Sequence, residues 1–113
     1  MAQLSRLDGL KIIGPQGYLD FLSLLEGCRI VLTDSGGIQE ESCIMGKSCV
    51  TLRENTERPE TVDVGANIIA GIETRDVIDA METMMARKND WENPFGDGHA
   101  AERIVDKLIQ YMQ

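Results

Sequence analysis

Between Arg29 and Leu52 the chain reads as a strand, a glycine break, a short helix, a second glycine and another strand, and this sets the class of fold. Arg29-Ile30-Val31-Leu32-Thr33 is β-branched and almost continuously apolar, as expected of a strand covered on both faces. Asp34-Ser35-Gly36-Gly37 cannot continue it. Ile38 to Met45 is long enough for a short helix, Gly46 stops it, and Cys49-Val50-Thr51-Leu52 supplies the next strand. Strands that alternate with helices pair in parallel through right-handed crossovers.

The same reading extends in both directions. Leu10-Lys11-Ile12-Ile13, ended by Gly14-Pro15, is expected to be a strand. Tyr18, Phe21, Leu22 and Leu25 fall at helical spacing, and Gly27 stands where a left-handed C-cap is wanted. Pro59 suits the first position of a short helix in the polar loop from Glu54 to Glu60. Ala66 to Ala70, closed by Gly71, reads as a fourth strand. Thr74 is placed to cap a helix striped by Val77, Ile78, Met81, Met84 and Met85. Ile104, Val105, Leu108, Ile109 and Met112 mark a terminal helix, with Asp97 as its expected cap. The expected fold is α/β: an open parallel sheet of about four strands with flanking helices, in a single domain over residues 1–113.

Composition narrows the partners. A 113-residue chain buries roughly two thirds of its unfolded surface. With 42% hydrophobic but only 4% aromatic residues, its core must be aliphatic and methionine-rich. A net charge of -8 without a basic cluster argues against nucleic acid, whose backbone is bound through clustered Lys and Arg. Cys28, Cys43 and Cys49 form no C-x-x-C pair and read as inert buried thiols rather than a disulfide framework or zinc site. No apolar run approaches the roughly 18 residues of a membrane span, and no secretory or lipidation pattern is present, so the expected location is the cytoplasm.

In open α/β sheets ligands sit beyond the carboxyl ends of the strands, which directs attention to Gly14-Pro15, Asp34 to Gly37 and Arg53 to Pro59. Gly36 and Gly37 let an anion approach the backbone, where first-turn N–H groups lack intrahelical acceptors; a diphosphate meets that description. The plainer alternative makes Ser35 an N-cap and the glycines the means of a tight turn. Glu40 and Glu41 either favour the helix dipole or place one carboxylate on two ribose hydroxyls. Arg58 either reaches a phosphate at the shared cleft or makes local ion pairs in a solvated loop. Asp34 is a poor phosphoacceptor, because no acidic pair follows the first strand to hold magnesium, and nothing indicates a metal, NAD or flavin. His99, just after Gly98, reads as exposed or capping.

Two runs converge on a family. Leu32-Thr33-Asp34-Ser35-Gly36-Gly37-Ile38-Gln39-Glu40-Glu41 and Leu52-Arg53-Glu54-Asn55-Thr56-Glu57-Arg58-Pro59-Glu60 resemble the characteristic stretches of non-hydrolysing UDP-N-acetylglucosamine 2-epimerases. Tyr18-Leu19-Asp20-Phe21 and Asn93-Pro94-Phe95-Gly96-Asp97-Gly98 are similar to the same family, so the resemblance covers the chain from Leu10 onward. It implies the carboxy-terminal half of the second, UDP-binding domain of a glycosyltransferase-B-like fold, a Rossmann-like half-domain. By that resemblance Ser35, Gly36 and Gly37 hold the diphosphate, Glu41 the ribose hydroxyls, and Arg58 the nucleotide end.

The family's reaction eliminates UDP with loss of the proton at sugar C2, then re-adds UDP with C2 inverted. The resemblance puts the family's carboxylates in a first domain and its active-site histidine earlier in the second, so it implies no catalytic residue in this chain. The expected ligands are UDP and a UDP-N-acetylhexosamine, the expected cofactors none, and the chain is expected to be inactive alone. A missing N-terminal domain would leave a sheet edge and cleft surface that favour self-association. The alternatives are a non-catalytic module that binds nucleotide-sugars or a protein, and the equivalent half of a UDP-sugar glycosyltransferase, against which the Thr56-to-Glu60 run argues.

Overall fold

The computed structural model describes residues 8–113. Its sheet has three strands, β1 (Ile30–Thr33), β2 (Ser48–Thr51) and β3 (Asn67–Ile69), in the order β1-β2-β3 and all parallel. The register pairs Thr33 with Thr51 and Thr51 with Ile69, so the strands end level and their following loops share one edge. Five helices complete the described chain: α1 (Tyr18–Gly27), α2 (Gly36–Ile44), α3 (Pro59–Asp63), α4 (Thr74–Ala86) and α5 (Ala100–Met112).

The period-2 alternation of β2 gives its two faces different chemistry. On one face Val50, with Ala80 and Met84 of α4, forms the apolar core, joined by Ile30, Leu52, Ile68, Ala70 and Met81. On the other face Thr51 bonds to Asn67 and, through it, to Gln39 of α2. Met84 is the largest fully buried side chain, in keeping with a core that has few aromatic residues to draw on.

Local signals place most helix boundaries. Ser35 caps α2 by accepting from the Ile38 N–H at 3.3 Å, so the helix begins at Gly36 rather than at Ile38. It ends at Ile44, and Gly46, just past the Met45 cap, has a φ of +74° that is open to glycine and costly to other residues. Pro59 opens α3 at its first turn, where the missing N–H has no intrahelical acceptor to lose.

Elsewhere the structure departs from the sequence reading. Leu10 to Ile13 forms no strand, and Leu10 and Ile13 remain 46% and 47% exposed. A short apolar run becomes a strand only where a neighbouring ladder accepts its backbone groups, and among the described residues β1 pairs only with β2. Gly27 closes α1 without a positive φ, and Cys28 follows in extended conformation. Thr74 is the first residue of α4, with Glu73 at the cap position. Asp97 does not occupy the cap of α5; His99 does, while Asp97 accepts from the His99 N–H and pairs with Arg103. That pairing holds the Asp97 carboxyl below the usual carboxylate range.

The thiols follow their surroundings. Burial raises all three, and Cys49, 1% exposed, is pushed up to about 12. Because the thiolate is the nucleophile, iodoacetamide at mildly alkaline pH should alkylate the half-buried Cys28 and spare Cys43 and Cys49 until urea is added. Native labelling of Cys49 at the rate of Cys28, read by peptide mass spectrometry, would contradict this packing.

Candidate functional site

The carboxyl edge of the sheet is built from two loops and the start of α1. After β1, the Ser35 N–H donates to Thr33 Oγ1 at 3.1 Å, which turns the chain sharply into α2. Gly36 and Gly37 are the first two helical residues, with N–H groups that lack intrahelical acceptors. A Cβ on Gly36 would lie 3.0 Å from Glu57 Oε2 and 3.7 Å from Arg58 Cζ, so glycine lets the loop after β2 close against the helix start. At Gly37 the nearest such neighbour is Ser35 Oγ at 3.9 Å. Gly37 therefore faces open space.

That space is a cleft of about 420 Å³ lined by Gln16, Tyr18, Phe21, Ser35, Gly37, Ile38 and Glu41. It brings together Ser35, Gly37 and Glu41 from the expected site with Gln16 of the expected Gly14-to-Gly17 loop, leaves Gly36 and Arg58 outside its lining, and adds two residues that sequence reasoning did not place there: Tyr18 and Phe21. Helical spacing had marked Tyr18 and Phe21 only as part of a helix; α1 buries only Leu25 and leaves Tyr18 62% exposed. An aromatic pair next to a turn cluster at a ligand-binding edge was the available signal. The Glu41 carboxylate beside Tyr18 raises the pKa of the phenol above its ordinary value.

Adjacent residues on a helix point about 100° apart, and this separates the two glutamates. Glu41 faces the cleft. Glu40 turns toward the other loop, where its Oε2 accepts from Arg58 Nε at 2.9 Å. Both lie beyond the first turn of α2, where the helix dipole has largely faded. Arg58 is therefore not a cleft-lining residue; it stands behind Gly36, held by Glu40 and donating from Nη1 to the Glu57 carbonyl at 3.2 Å. Neighbouring Arg53 pairs with Glu57 at 3.1 Å. His99 lies outside this group, with its Nδ1 3.4 Å from Glu102 Oε1. No cluster of metal-ligating side chains and no helix long and apolar enough to cross a membrane occurs among the described residues.

An open parallel α/β sheet with a glycine-rich helix start, a nearby carboxylate and aromatic residues at its carboxyl edge defines the class of Rossmann-like α/β units, in which ligands sit beyond the carboxyl ends of the strands. Comparison with known proteins makes this specific: the family model for UDP-N-acetylglucosamine 2-epimerase matches residues 1–109, and the chain belongs to that family. It is 56% identical over 102 residues to the UDP-N-acetylglucosamine 2-epimerase of Methanocaldococcus jannaschii, covering 90% of this chain and 28% of the relative. The Yersinia pestis enzyme of that name is 38% identical over 111 residues, covering 93% and 30%.

Among solved structures, the M. jannaschii epimerase in complex with UDP-GlcNAc and UDP matches with a TM-score of 0.87 at 51% identity, over 96% of this chain and 30% of that one. The Neisseria meningitidis epimerase bound to UDP-GlcNAc matches with a TM-score of 0.82 at 37% identity, over 96% and 32%. The chain thus has the α/β arrangement of a glycosyltransferase-B-like family and spans about three-tenths of the length of its relatives.

Proposed function

We propose that residues 1–113 are the UDP-gripping, carboxy-terminal portion of a UDP-N-acetylglucosamine 2-epimerase, acting on UDP-N-acetylhexosamines in the cytoplasm. The Gly36 and Gly37 amides and Ser35 hold the diphosphate, Glu41 accepts from the ribose hydroxyls, and Arg58, expected from the sequence at the nucleotide end, instead stands behind Gly36 on the diphosphate side. The observation that carries this reading is the cleft that joins Ser35, Gly37 and Glu41 on one wall and faces them with Tyr18 and Phe21. Such a wall supplies donors for phosphate, an acceptor for hydroxyls and an apolar surface for a base. The acidic chain binds an anionic ligand through fixed amides rather than through net charge. Family membership favours this reading over a glycosyltransferase half-domain.

Amide chemical-shift mapping with UDP tests the site. Perturbations should centre on residues 16–21, 35–41 and 56–58. Glu41→Gln should weaken UDP about tenfold or more, since a hydrogen bond to a charged acceptor contributes roughly 1.5–3 kcal/mol, and Glu40→Gln, which keeps an acceptor for Arg58, should weaken it less. 2′-Deoxyuridine diphosphate should lose much of the difference between the two variants. Equal effects of the two substitutions, or shifts scattered away from the cleft, would overturn the assignment.

A further inference from the structure

The face of the sheet opposite Met84 carries a chain of buried polar side chains that leads to one residue, Arg58. Gln39 is fully buried in α2, and its Oε1 accepts from Thr56 Oγ1 and from Asn67 Nδ2 at 3.2 Å. Asn67, 1% exposed at the start of β3, also donates from Nδ2 to Thr61 Oγ1 at 3.1 Å and accepts from Thr51 Oγ1 at 2.7 Å. The two outer hydroxyls close on the same residue, from either side of its Cα. Thr56 Oγ1 accepts from the Arg58 N–H at 2.9 Å, and Thr61 Oγ1 donates to the Arg58 carbonyl at 2.7 Å.

Proton counting fixes the direction of every bond. A threonine hydroxyl has one proton to give. That of Thr56 goes to Gln39, which leaves a lone pair for the Arg58 N–H; that of Thr61 goes to the Arg58 carbonyl, which leaves a lone pair for Asn67. The Asn67 amide has one orientation that satisfies both neighbours, with its oxygen toward Thr51 and its nitrogen toward Gln39 and Thr61. Gln39 must then turn its oxygen to Thr56 and Asn67, and its Nε2 is buried with no partner among the described residues. An orphaned buried donor costs free energy that an apolar residue of the same size would avoid. Gln39 keeps this cost because its Oε1 is the acceptor that satisfies the Thr56 hydroxyl and one Asn67 N–H.

The clamped residue stands where it could serve the anion-accessible turn. Arg58 Cζ lies 3.7 Å from the point a Gly36 Cβ would occupy. Its Nε is taken by Glu40 and its Nη1 bonds to the Glu57 carbonyl, while Nη2 has no hydrogen bond among the described residues. We propose that Gln39, Asn67 and Thr56 are positioning residues that fix the Arg58 backbone at its N–H and, through Thr61, at its carbonyl, so that the guanidinium is aimed at an anion seated on the Ser35–Gly37 turn. This rests on the reading of that turn as the diphosphate seat. Arg58 then contributes a preset charge rather than a side chain ordered only when ligand arrives, which reduces the entropy lost on binding.

The test uses the 113-residue chain with Thr56→Val, which is near-isosteric and removes both bonds of the hydroxyl, Thr56→Ser, which restores them, and Gln39→Met. UDP and uridine are titrated against each, and the free proteins are compared by hydrogen exchange at the Arg58 amide and by the Arg58 Nε–H signal. Thr56→Val and Gln39→Met should weaken UDP about tenfold while leaving uridine within about twofold, and Thr56→Ser should restore UDP affinity. Arg58 amide exchange should quicken in Thr56→Val before any ligand is added.

Equal losses for UDP and uridine would overturn the proposal in favour of a purely structural network, as would unchanged exchange at Arg58. If Arg58 loosens in Thr56→Val but UDP affinity holds, the clamp stands and its delivery of charge to the diphosphate falls. Failure of the wild-type chain to show UDP shifts at Ser35 to Gly37 would overturn the seat itself, and with it the anion to which Arg58 is aimed.

Discussion

UDP-N-acetylglucosamine incubated with the 113-residue chain should be recovered without its C2 epimer. Inversion at C2 needs a group that removes a carbon-bound proton and one that returns a proton to the opposite face, each within about 2.6–3.2 Å of its target or one water away. The residues that line the cleft include Ser35, Gly37 and Glu41, and in the proposed reading they grip the nucleotide with the Gly36 amide beside them. A grip that is equally strong in ground and transition states does not accelerate the chemical step. Glu41, assigned to the ribose, is at the wrong end of the ligand for C2. His99 is occupied with Glu102 at the start of α5. The chain spans 28–32% of the three relatives compared above, and the proposed division of labour puts proton transfer in the remainder.

Adding a fragment of a full-length relative that supplies the unmatched residues should therefore restore turnover. Proton exchange at C2 in deuterated water, followed by NMR, gives a sensitive readout. Epimer formed by the chain alone, and lost in a Glu41→Gln preparation purified in the same way, would contradict this division.

The parts of the fold that were legible in the sequence are those set by local chemistry. β1, the Ser35 cap, the glycine stop at Gly46 and the Pro59 helix start each depend on residues within a few positions of one another. Leu10 to Ile13 illustrates the opposite case. Its residues suit a strand, but a ladder belongs to two segments, and the described sheet offers this one no partner. The same limit applies to α1, whose periodicity identified a helix without identifying the face turned to the cleft.

The site was legible to a similar depth. Sequence marked Ser35 to Gly37 and left Glu40 and Glu41 open on local chemistry, the family resemblance alone choosing Glu41; the helix turns Glu41 toward Tyr18 and Glu40 toward Arg58. For Arg58 it left open an ion pair or a ligand contact; in the structure the pair with Glu40 and the approach to Gly36 coexist. Gln39 was hardest to read. Within Gly36-Gly37-Ile38-Gln39-Glu40-Glu41 it looks like one more solvated polar side chain, and only the arrival of Asn67 and Thr56 from distant segments makes it a buried junction.

Met84→Ala should bring the isolated chain close to global unfolding. The apolar core centres on Val50, Ala80 and Met84, so there are few other large side chains across which the loss can be spread. Met84 is 1% exposed and packs α4 onto the sheet; its truncation removes transfer free energy and leaves a cavity, at a cost of about 2–5 kcal/mol for a buried methionine. A domain of this size has roughly 5–15 kcal/mol in total. Collapse around the cavity is resisted by the hydrogen-bonded network on the opposite face, which fixes β2 and β3 relative to α2. Met85→Ala is the control, because the neighbouring side chain is 42% exposed and its loss should cost less than about 1 kcal/mol. Urea unfolding followed by far-UV circular dichroism gives both midpoints. A Met84→Ala midpoint within about 0.5 kcal/mol of wild type at unchanged slope would mean that the chain is held together elsewhere than at the junction of α4 and the sheet.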